Sequence, residues 1–291
     1  MRPLAAALLL SLSACTPRSE AGETGPPPTA APADTTHADW GRFFEAQDAH
    51  GTIVVLDAQT GQRHYFDPQR AAERFIPAST FKVYNSLVAL ETGVVPDVDS
   101  VFAWDGVERG VEAWNRDHSM RTGIAASVVW LYQELARRIG EEGYRAAFAR
   151  EPYGNGDTGG GIDRFWLDGA LRISAEEQVA FLDRLRRGAL AFRPEHQAAV
   201  REIMLLEEGD GYRLFGKTGW ATTLEGRSGT VFWEGPDVGW FVGWVERGGD
   251  AWVFALNVEA AGPGLDMGPA RRAIAEAVLA DLGLLPADGG R

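Results

Sequence analysis

The chain has 291 residues, of which 45% are hydrophobic and 24% are charged. This length and composition suit a globular enzyme with a full-size core and exclude a disordered or fibrous protein. The 41 acidic and 28 basic residues give a formal net charge of -13, which repels nucleic acid and anionic lipid surfaces. Because the sequence contains one cysteine, an internal disulfide and a thiolate metal site are both excluded.

The first fifteen residues have the pattern of a bacterial secretory signal. Arg2 precedes an apolar run over 4–12 that is too short to span a bilayer permanently. The run ends in the letters LSAC, with Cys15 last, which resemble the lipobox of bacterial lipoproteins. We predict a lipoprotein signal over 1–15, acylation of Cys15, and a periplasmic protein held to a membrane by lipid only. A cleaved signal that releases a soluble periplasmic or secreted protein is the alternative.

Residues 16–38 are rich in Pro, Thr, Ala and Gly and show no apolar period. Such a segment cannot bury a core, so it is predicted to be a flexible tether. No internal repeat and no second linker of this kind follows it. We therefore expect one compact domain over 39–285, and no motif indicates an oligomeric state.

Strands are predicted to open this domain. The run 51–57 and the segment 63–66 flank a short turn, which indicates a β-hairpin. A helix over 80–91 follows and ends before Gly93. The middle of the chain is predicted to be mostly helical, with a glycine-rich loop over 153–169 and four helices, over 126–139, 142–149, 175–187 and 194–206.

The last third of the chain returns to strand patterns. Apolar runs at 229–233, 239–246 and 251–258 are separated by Gly and Asp turn residues, which predicts an antiparallel meander. An amphipathic helix over 269–282 is predicted to close the chain. This order indicates an α+β fold, in which N- and C-terminal strands build one antiparallel sheet flanked by helices around a helical middle subdomain.

Lysine is rare in this sequence, because 26 of the 28 basic residues are arginine and only Lys82 and Lys217 are lysine. A desolvated amine can lose its proton and act as a base, whereas a guanidinium stays charged. Ser79 precedes Lys82 by one helical turn, so both side chains are expected on one face at a helix start. That geometry suits an activated nucleophile, although a helix N-cap is the simpler interpretation of Ser79 alone.

Two further motifs accompany this pair. The letters SVV at 127–129 are predicted to begin a helix, and KTG at 217–219 lies on a probable strand edge, where Gly219 would let a substrate backbone lie close. The order S-x-x-K, S-x-V and K-T-G resembles the serine β-lactamase and penicillin-binding protein superfamily. With YGN at 153–155 and FWL at 165–167, the chain resembles the class D β-lactamases over about 40–284.

The resemblance implies a β-lactam hydrolase that works through an acylated serine. Ser79 would be the nucleophile, and Lys82, N-carboxylated by carbon dioxide, would be the general base. A carbamate at this position needs a desolvated pocket, and its lining would include Val129, Phe165 and Leu167. Trp166 would donate its indole N–H to the carbamate.

The resemblance also implies how the substrate is held. Ser127 would relay a proton to the leaving nitrogen, and Lys217 with Thr218 would bind the substrate carboxylate. Arg271 would bind the same carboxylate, with its neighbour Arg272 as the alternative. The backbone N–H groups of Ser79 and Trp220 would form the oxyanion hole. Neither a metal nor a separate cofactor is implied.

Other enzyme classes fit the sequence less well. The five histidines show no H-x-H or H-E-x-x-H spacing that would favour a zinc hydrolase. Ser79 lies in ASTFK and not in the G-x-S-x-G of an α/β-hydrolase.

Two related classes of protein that acylate without rapid turnover stay open as alternatives. A penicillin-binding peptidase usually has S-x-N where this chain has SVV, and a β-lactam sensor needs a membrane-spanning segment that no apolar run after residue 15 provides.

Overall fold

A seven-stranded sheet lies at the centre of the computed structural model, which describes residues 32–209, 211–222, 235–262 and 265–286. The strands of the chain are β1 Thr35–Thr36, β2 Ala49–Asp57, β3 Arg63–Phe66, β4 Arg74–Phe75, β5 Ile173–Ser174, β6 Leu205–Gly209, β7 Tyr212–Ala221, β8 Val238–Arg247 and β9 Asp250–Ala260. The large sheet has the order β1-β3-β2-β9-β8-β7-β6, and β4 pairs with β5 separately. Strand β1 pairs with β3 in parallel, and the other neighbours are antiparallel.

The helices cover both faces of this sheet. They are α1 Gly41–Glu45, α2 Pro68–Ala72, α3 Lys82–Glu91, α4 Met120–Ala125, α5 Val129–Arg150, α6 Ala175–Arg186, α7 Pro194–Ile203 and α8 Met267–Asp281, with 3-10 turns at Ala38–Trp40, Ala78–Phe81 and Glu112–Trp114. Antiparallel pairing of β2 with β9 joins the N- and C-terminal strands. The predicted α+β fold, with its helical middle, is confirmed.

The run of apolar residues in β2 is explained by burial on both sides of the sheet. Consecutive side chains of a strand point to opposite faces. Val54 accordingly packs into the core shared with the helical middle, whereas Ile53 and Val55 pack into the core beneath α1 and α8. The hairpin predicted for this region is confirmed by the pairing of β2 with β3.

Several predicted helices differ from the structure in their bounds. The helix predicted over 194–206 ends at Ile203, because Leu205 already pairs with Phe215 as the start of β6. The helix predicted from residue 80 begins as the 3-10 turn Ala78–Phe81 and becomes α-helical at Lys82. The two helices predicted on either side of residue 141 form one element that is interrupted at Gly140, where φ is 73°. The predicted strand at 229–233 lies outside the described residues.

The N-terminal part of the domain begins earlier than the sequence predicts. Thr35 and Thr36 pair with β3 as strand β1. The ring of His37 stacks on Trp40 with 4.1 Å between centroids, and Trp40 is fully buried. Backbone pairing and ring stacking therefore attach the last residues of the predicted tether to the domain. The predicted signal with Cys15, and the tether before residue 32, lie outside the described residues.

No helix in the described ranges is long and apolar enough to cross a membrane.

Candidate active site

The first serine and lysine of the motifs meet where the 3-10 turn Ala78–Phe81 runs into α3. Lys82 Nζ donates a hydrogen bond to Ser79 Oγ at 2.8 Å, because a spacing of three in this tight turn places both side chains on the same side. Lys82 is fully buried, and burial lowers its pKa to about 7. A large fraction of this amine is therefore neutral near pH 7. The cap interpretation of Ser79 is wrong, because Pro77 occupies the N-cap position.

The backbone of this turn is held in a strained conformation. Ala78, directly before Ser79, has a φ of 48°, a left-handed conformation that costs a side-chain-bearing residue about 1–2 kcal/mol. Two buried donors, one from β8 and one from the turn itself, fix the carbonyls on the N-terminal side of Ala78. Trp240 Nε1 donates to Ile76 O at 2.8 Å, and Thr80 Oγ1 donates to Pro77 O at 2.8 Å. The strain is thus maintained by contacts around the turn.

The second serine and the second lysine form a similar pair. Ser127 lies between α4 and α5 with a φ of 55°, so its side chain projects from a sharp turn. Lys217 Nζ, on β7, donates to Ser127 Oγ at 3.0 Å and to Thr218 O at 2.9 Å. Burial, with smaller effects from the charges of Lys82 and Arg271, lowers the pKa of Lys217 well below its usual value. Lys217 can therefore release a proton more easily than an exposed lysine.

Among the described residues, the KTG segment pairs with a strand on one side only, as expected for the predicted strand edge. Strand β7 pairs with β6 only as far as Phe215, whereas its pairing with β8 continues to Ala221. Gly219 also has a packing role that the sequence does not indicate, beside its predicted contact with a substrate backbone. A Cβ atom at Gly219 would lie 2.9 Å from Pro77 O and 3.1 Å from Thr80 Cγ2. The close approach is made by the turn that carries Ser79, so Gly219 lets β7 pack against that turn.

Arg271 and Arg272 at the start of α8 have different surroundings. Arg271 Nη1 donates to Gly219 O at 2.6 Å, and its guanidinium carbon lies 5.9 Å from the ring centroid of Trp220. Burial lowers the pKa of Arg271 to about 10. Arg272 instead forms ion pairs with Glu276 and Glu207. Of the two, Arg271 is placed beside the KTG strand.

A buried apolar group adjoins Lys82 and its turn. Val129 and Leu167 are buried, and Trp166 is completely so. The ring centroid of Trp166 lies 5.3 Å from that of Phe81, the residue before Lys82. The Nε1 atom of Trp166 is buried without a hydrogen-bond partner, which is costly for an N–H group. An unpaired buried donor, on a ring that packs against the residue before Lys82, fits an anionic group on Lys82.

Sequence reasoning missed Gln178, which lies on α6 behind the turn. Its Nε2 donates to Thr80 Oγ1 at 2.8 Å, and its Oε1 accepts from the hydroxyl of Tyr153 at 3.3 Å. Tyr153 is the first residue of YGN, so this motif also helps to fix the turn that carries Ser79. The signal that could have found Gln178 is a polar residue in the apolar period of α6, where Ala175, Val179 and Leu182 are buried.

A second missed residue is Tyr132 on α5. Lys82 Nζ lies 5.3 Å from the centroid of its ring. Its hydroxyl pairs with Ser86 Oγ at 2.9 Å, and Ser86 Oγ also donates to Lys82 O at 2.8 Å. An aromatic face toward the amine forms part of the apolar wall that desolvates it, and no spacing in the sequence indicates this contact.

Comparisons with known proteins agree with this geometry. The chain matches the model of the penicillin binding protein transpeptidase domain over residues 51–280. It is 40% identical to β-lactamase OXA-2 of Salmonella typhimurium over 251 residues, 86% of each chain. It is also 40% identical to β-lactamase OXA-48 of Klebsiella pneumoniae over 247 residues, 85% of this chain and 89% of the relative.

Solved structures give the same result. The fold superposes on FUS-1 (OXA-85), a class D β-lactamase from Fusobacterium nucleatum subsp. polymorphum, with a TM-score of 0.78 and 36% identity, covering 86% of this chain and 99% of the other. The class D β-lactamase YbXI from Nostoc gives a TM-score of 0.77 and 38% identity, covering 84% of this chain and 99% of the other. With its motifs, its paired lysines and these relatives, the chain belongs to the class D β-lactamases.

Proposed function

We propose that this protein hydrolyses β-lactam antibiotics through an acyl intermediate on Ser79. The observation that carries the proposal is the 2.8 Å contact between Ser79 Oγ and the buried, easily deprotonated amine of Lys82. A serine hydroxyl needs an adjacent base to attack a carbonyl at neutral pH. The base at Lys82 takes the proton, Ser79 Oγ bonds to the ring carbonyl carbon, and the ring C–N bond breaks.

The second pair handles the leaving group and the substrate. Ser127 passes a proton to the ring nitrogen and takes one from Lys217, whose Nζ lies 3.0 Å away. Lys217, Thr218 and Arg271 hold the substrate carboxylate, since hydrogen-bond donors on β7 and the guanidinium of Arg271 beside them on α8 favour an anion. The backbone N–H groups of Ser79 and Trp220 stabilise the negative charge on the carbonyl oxygen. The proton taken up at Lys82 returns to Lys217 through solvent, which restores both groups. A water then attacks the ester carbonyl carbon, the base at Lys82 takes the proton of this water, and that proton passes to Ser79 Oγ as the ester C–O bond breaks.

We also infer that Lys82 carries a carbamate. Neutral Nζ bonds to the carbon of carbon dioxide and releases one proton. Once formed, the carbamate supplies an anionic oxygen base near Ser79. Three properties of the chain support this inference: the lowered pKa of Lys82, the apolar wall that includes Val129 and Leu167, and the unpaired Nε1 of Trp166. Trp166 would hold the carbamate through that N–H.

The test is hydrolysis of a chromogenic cephalosporin and of oxacillin, followed over the full time course with and without bicarbonate. We expect many turnovers per enzyme, a higher rate with bicarbonate, and no turnover by a Ser79→Ala control. A burst of about one product per enzyme would replace this proposal with a penicillin-binding peptidase or a β-lactam sensor. Failure to acylate at all would refute it.

We further propose that Cys15 is acylated and holds the enzyme at the periplasmic face of a membrane. The support is the LSAC sequence after a short apolar run. Expression in a bacterium with a labelled fatty acid tests this. Label on the wild type, absent from a Cys15→Ser variant that leaves the membrane fraction, is the expected result. An unlabelled wild type in the soluble fraction would favour the ordinary secretory signal.

A further inference from the structure

The turn that carries Ser79 is fixed by a chain of three buried side chains. Tyr153, Gln178 and Thr80 are each about 1% exposed. The hydroxyl of Tyr153 donates to Gln178 Oε1, Gln178 Nε2 donates to Thr80 Oγ1, and Thr80 Oγ1 donates to Pro77 O. The chain begins in the loop before α6 and ends at the carbonyl directly before Ala78.

This chain acts on the strained part of the turn. Ala78 has a φ of 48°, a conformation that persists only where surrounding contacts over-determine it. The Pro77 carbonyl accepts from the backbone N–H of Thr80 at 3.2 Å and from Thr80 Oγ1 at 2.8 Å, so the side-chain hydrogen bond reinforces the closure of the turn around Ala78 and Ser79. If the bond weakens, Ala78 can relax toward a negative φ, which would displace the Ser79 side chain and backbone N–H.

We propose that Gln178 is a positioning residue for acylation. From α6 it fixes Thr80 Oγ1 in the orientation that closes the turn, and the closed turn sets Ser79 Oγ at 2.8 Å from Lys82 Nζ. Gln178 touches neither of these two groups. The inference rests on the proposed function in one respect, since the reaction that Gln178 serves is acylation of Ser79.

Gln178 should affect the rate of acylation and not the binding of substrate. The groups assigned to the substrate carboxylate lie on β7 and α8, whereas the turn supplies the nucleophile and an oxyanion donor. A misplacement of about 1 Å in a reacting group can cost roughly 100-fold in rate. Substrate affinity would change little.

The experiment compares Gln178→Met with Gln197→Met. Gln197 is a matched control, because it is equally buried and its amide makes hydrogen bonds to Leu190 and Phe192 in a loop remote from the turn. Stopped-flow acylation by a fluorescent penicillin over a range of concentrations separates the dissociation constant from the acylation rate constant. Thermal unfolding of both variants shows that each is folded at the assay temperature.

We expect Gln178→Met to lower the acylation rate constant at least tenfold with the dissociation constant within about twofold of the wild type. Gln197→Met should lose stability and keep the rate constant. In a Thr80→Val background, Gln178→Met should add little further loss, because the two residues act through one hydrogen bond. A wild-type rate constant in Gln178→Met, equal rate losses in both glutamine variants, or additive losses with Thr80→Val would overturn the proposal.

Crystal structures of the wild type and Gln178→Met separate this inference from the proposed function. If the wild type fails to acylate, the proposed function is refuted, and the structures still decide whether Gln178 positions Ser79. A longer distance from Ser79 Oγ to Lys82 Nζ in the variant supports that role. An unchanged turn, with Ala78 still at positive φ, overturns it.

Discussion

Lys217 Nζ donates a hydrogen bond to Ser127 Oγ at 3.0 Å, and the same relationship recurs between Lys82 and Ser79 at 2.8 Å. Both lysines of the chain thus contact a serine hydroxyl in a buried site. The positive charge of Lys82 also lowers the pKa of Lys217, so the two pairs are electrostatically coupled. One pair is suited to remove a proton from the nucleophile, and the other is suited to deliver a proton to the leaving group.

Replacement of Lys82 by arginine is expected to abolish turnover. A guanidinium stays protonated and cannot bond to carbon dioxide, so the site loses its base. General-base catalysis contributes typically 10²–10⁴-fold, and steady-state hydrolysis should fall by at least that factor. Circular dichroism and thermal unfolding of Lys82→Arg and Lys82→Met show whether either variant still folds. A fully active Lys82→Arg enzyme would rule out this mechanism.

The burial of Lys82 also predicts how stability depends on pH. Its pKa is about 7 in the folded protein and near 10.5 when unperturbed. Between these values the unfolded chain binds a proton that the folded chain lacks, so the free energy of unfolding contributed by Lys82 rises with pH across this window. The slope is at most about 1.4 kcal/mol per pH unit.

Urea unfolding of the wild type and Lys82→Met at pH 7, 8 and 9 measures this contribution. The free energy of unfolding should rise with pH more steeply in the wild type than in the variant. Lys217 titrates in the same direction and is present in both proteins, so the difference reports mainly on Lys82. Equal slopes would mean that Lys82 keeps an ordinary pKa in the folded state.

Gly219→Ala is expected to reduce activity by displacing strand β7 from the turn of Ser79. The added Cβ would lie 2.9 Å from Pro77 O, which is backbone and cannot rotate away. A displacement of the nucleophile by about 1 Å should lower kcat/KM by roughly tenfold to 100-fold. Gly262→Ala is the control, because its Cβ would meet nothing within 4 Å. Equal kcat/KM for the two variants would show that the packing of β7 against this turn does not matter.

The sequence predicted which serine and lysine side chains meet better than how the residues around them pack. Spacing alone placed Ser79 beside Lys82, since a helical turn brings residues three apart together. Spacing could not indicate Tyr132, which reaches the site from α5, and the only signal for Gln178 is that it is a polar residue in the apolar period of α6. The helix predicted over 194–206 failed at Leu205, where a short edge strand next to β7 takes over. Pairing with a distant strand, and not local periodicity, decides such a segment.

The neighbouring residues Arg271 and Arg272 allow a test of which arginine binds the substrate carboxylate. Arg271 donates to Gly219 O beside the KTG strand, whereas Arg272 pairs with two glutamates. A charged hydrogen bond contributes about 1.5–3 kcal/mol, so Arg271→Ala should lower kcat/KM by roughly tenfold to 100-fold, mainly through a higher KM. Arg272→Ala should stay close to the wild type in penicillin hydrolysis. The reverse order would assign the carboxylate to Arg272.

Trp166→Phe should separate stability from catalysis. Trp166 Nε1 is a buried donor with no hydrogen-bond partner, and such a group costs about 1–3 kcal/mol. Its removal should therefore leave the free energy of unfolding unchanged or raised when bicarbonate is absent. The rate of hydrolysis should nevertheless fall, because a carbamate on Lys82 would lose its hydrogen-bond donor. A higher bicarbonate concentration should be needed to restore that rate.

The matched control is Trp244→Phe, since Trp244 is equally buried and its Nε1 donates to Glu246 on the same strand at 3.2 Å. This variant should lose stability and keep the bicarbonate dependence of the wild type. Hydrolysis is measured against bicarbonate concentration for both variants, together with urea unfolding. A Trp166→Phe enzyme whose bicarbonate requirement equals that of the wild type would contradict the predicted role of Trp166. The carbamate would then be held without the indole N–H, and this N–H would serve some other group.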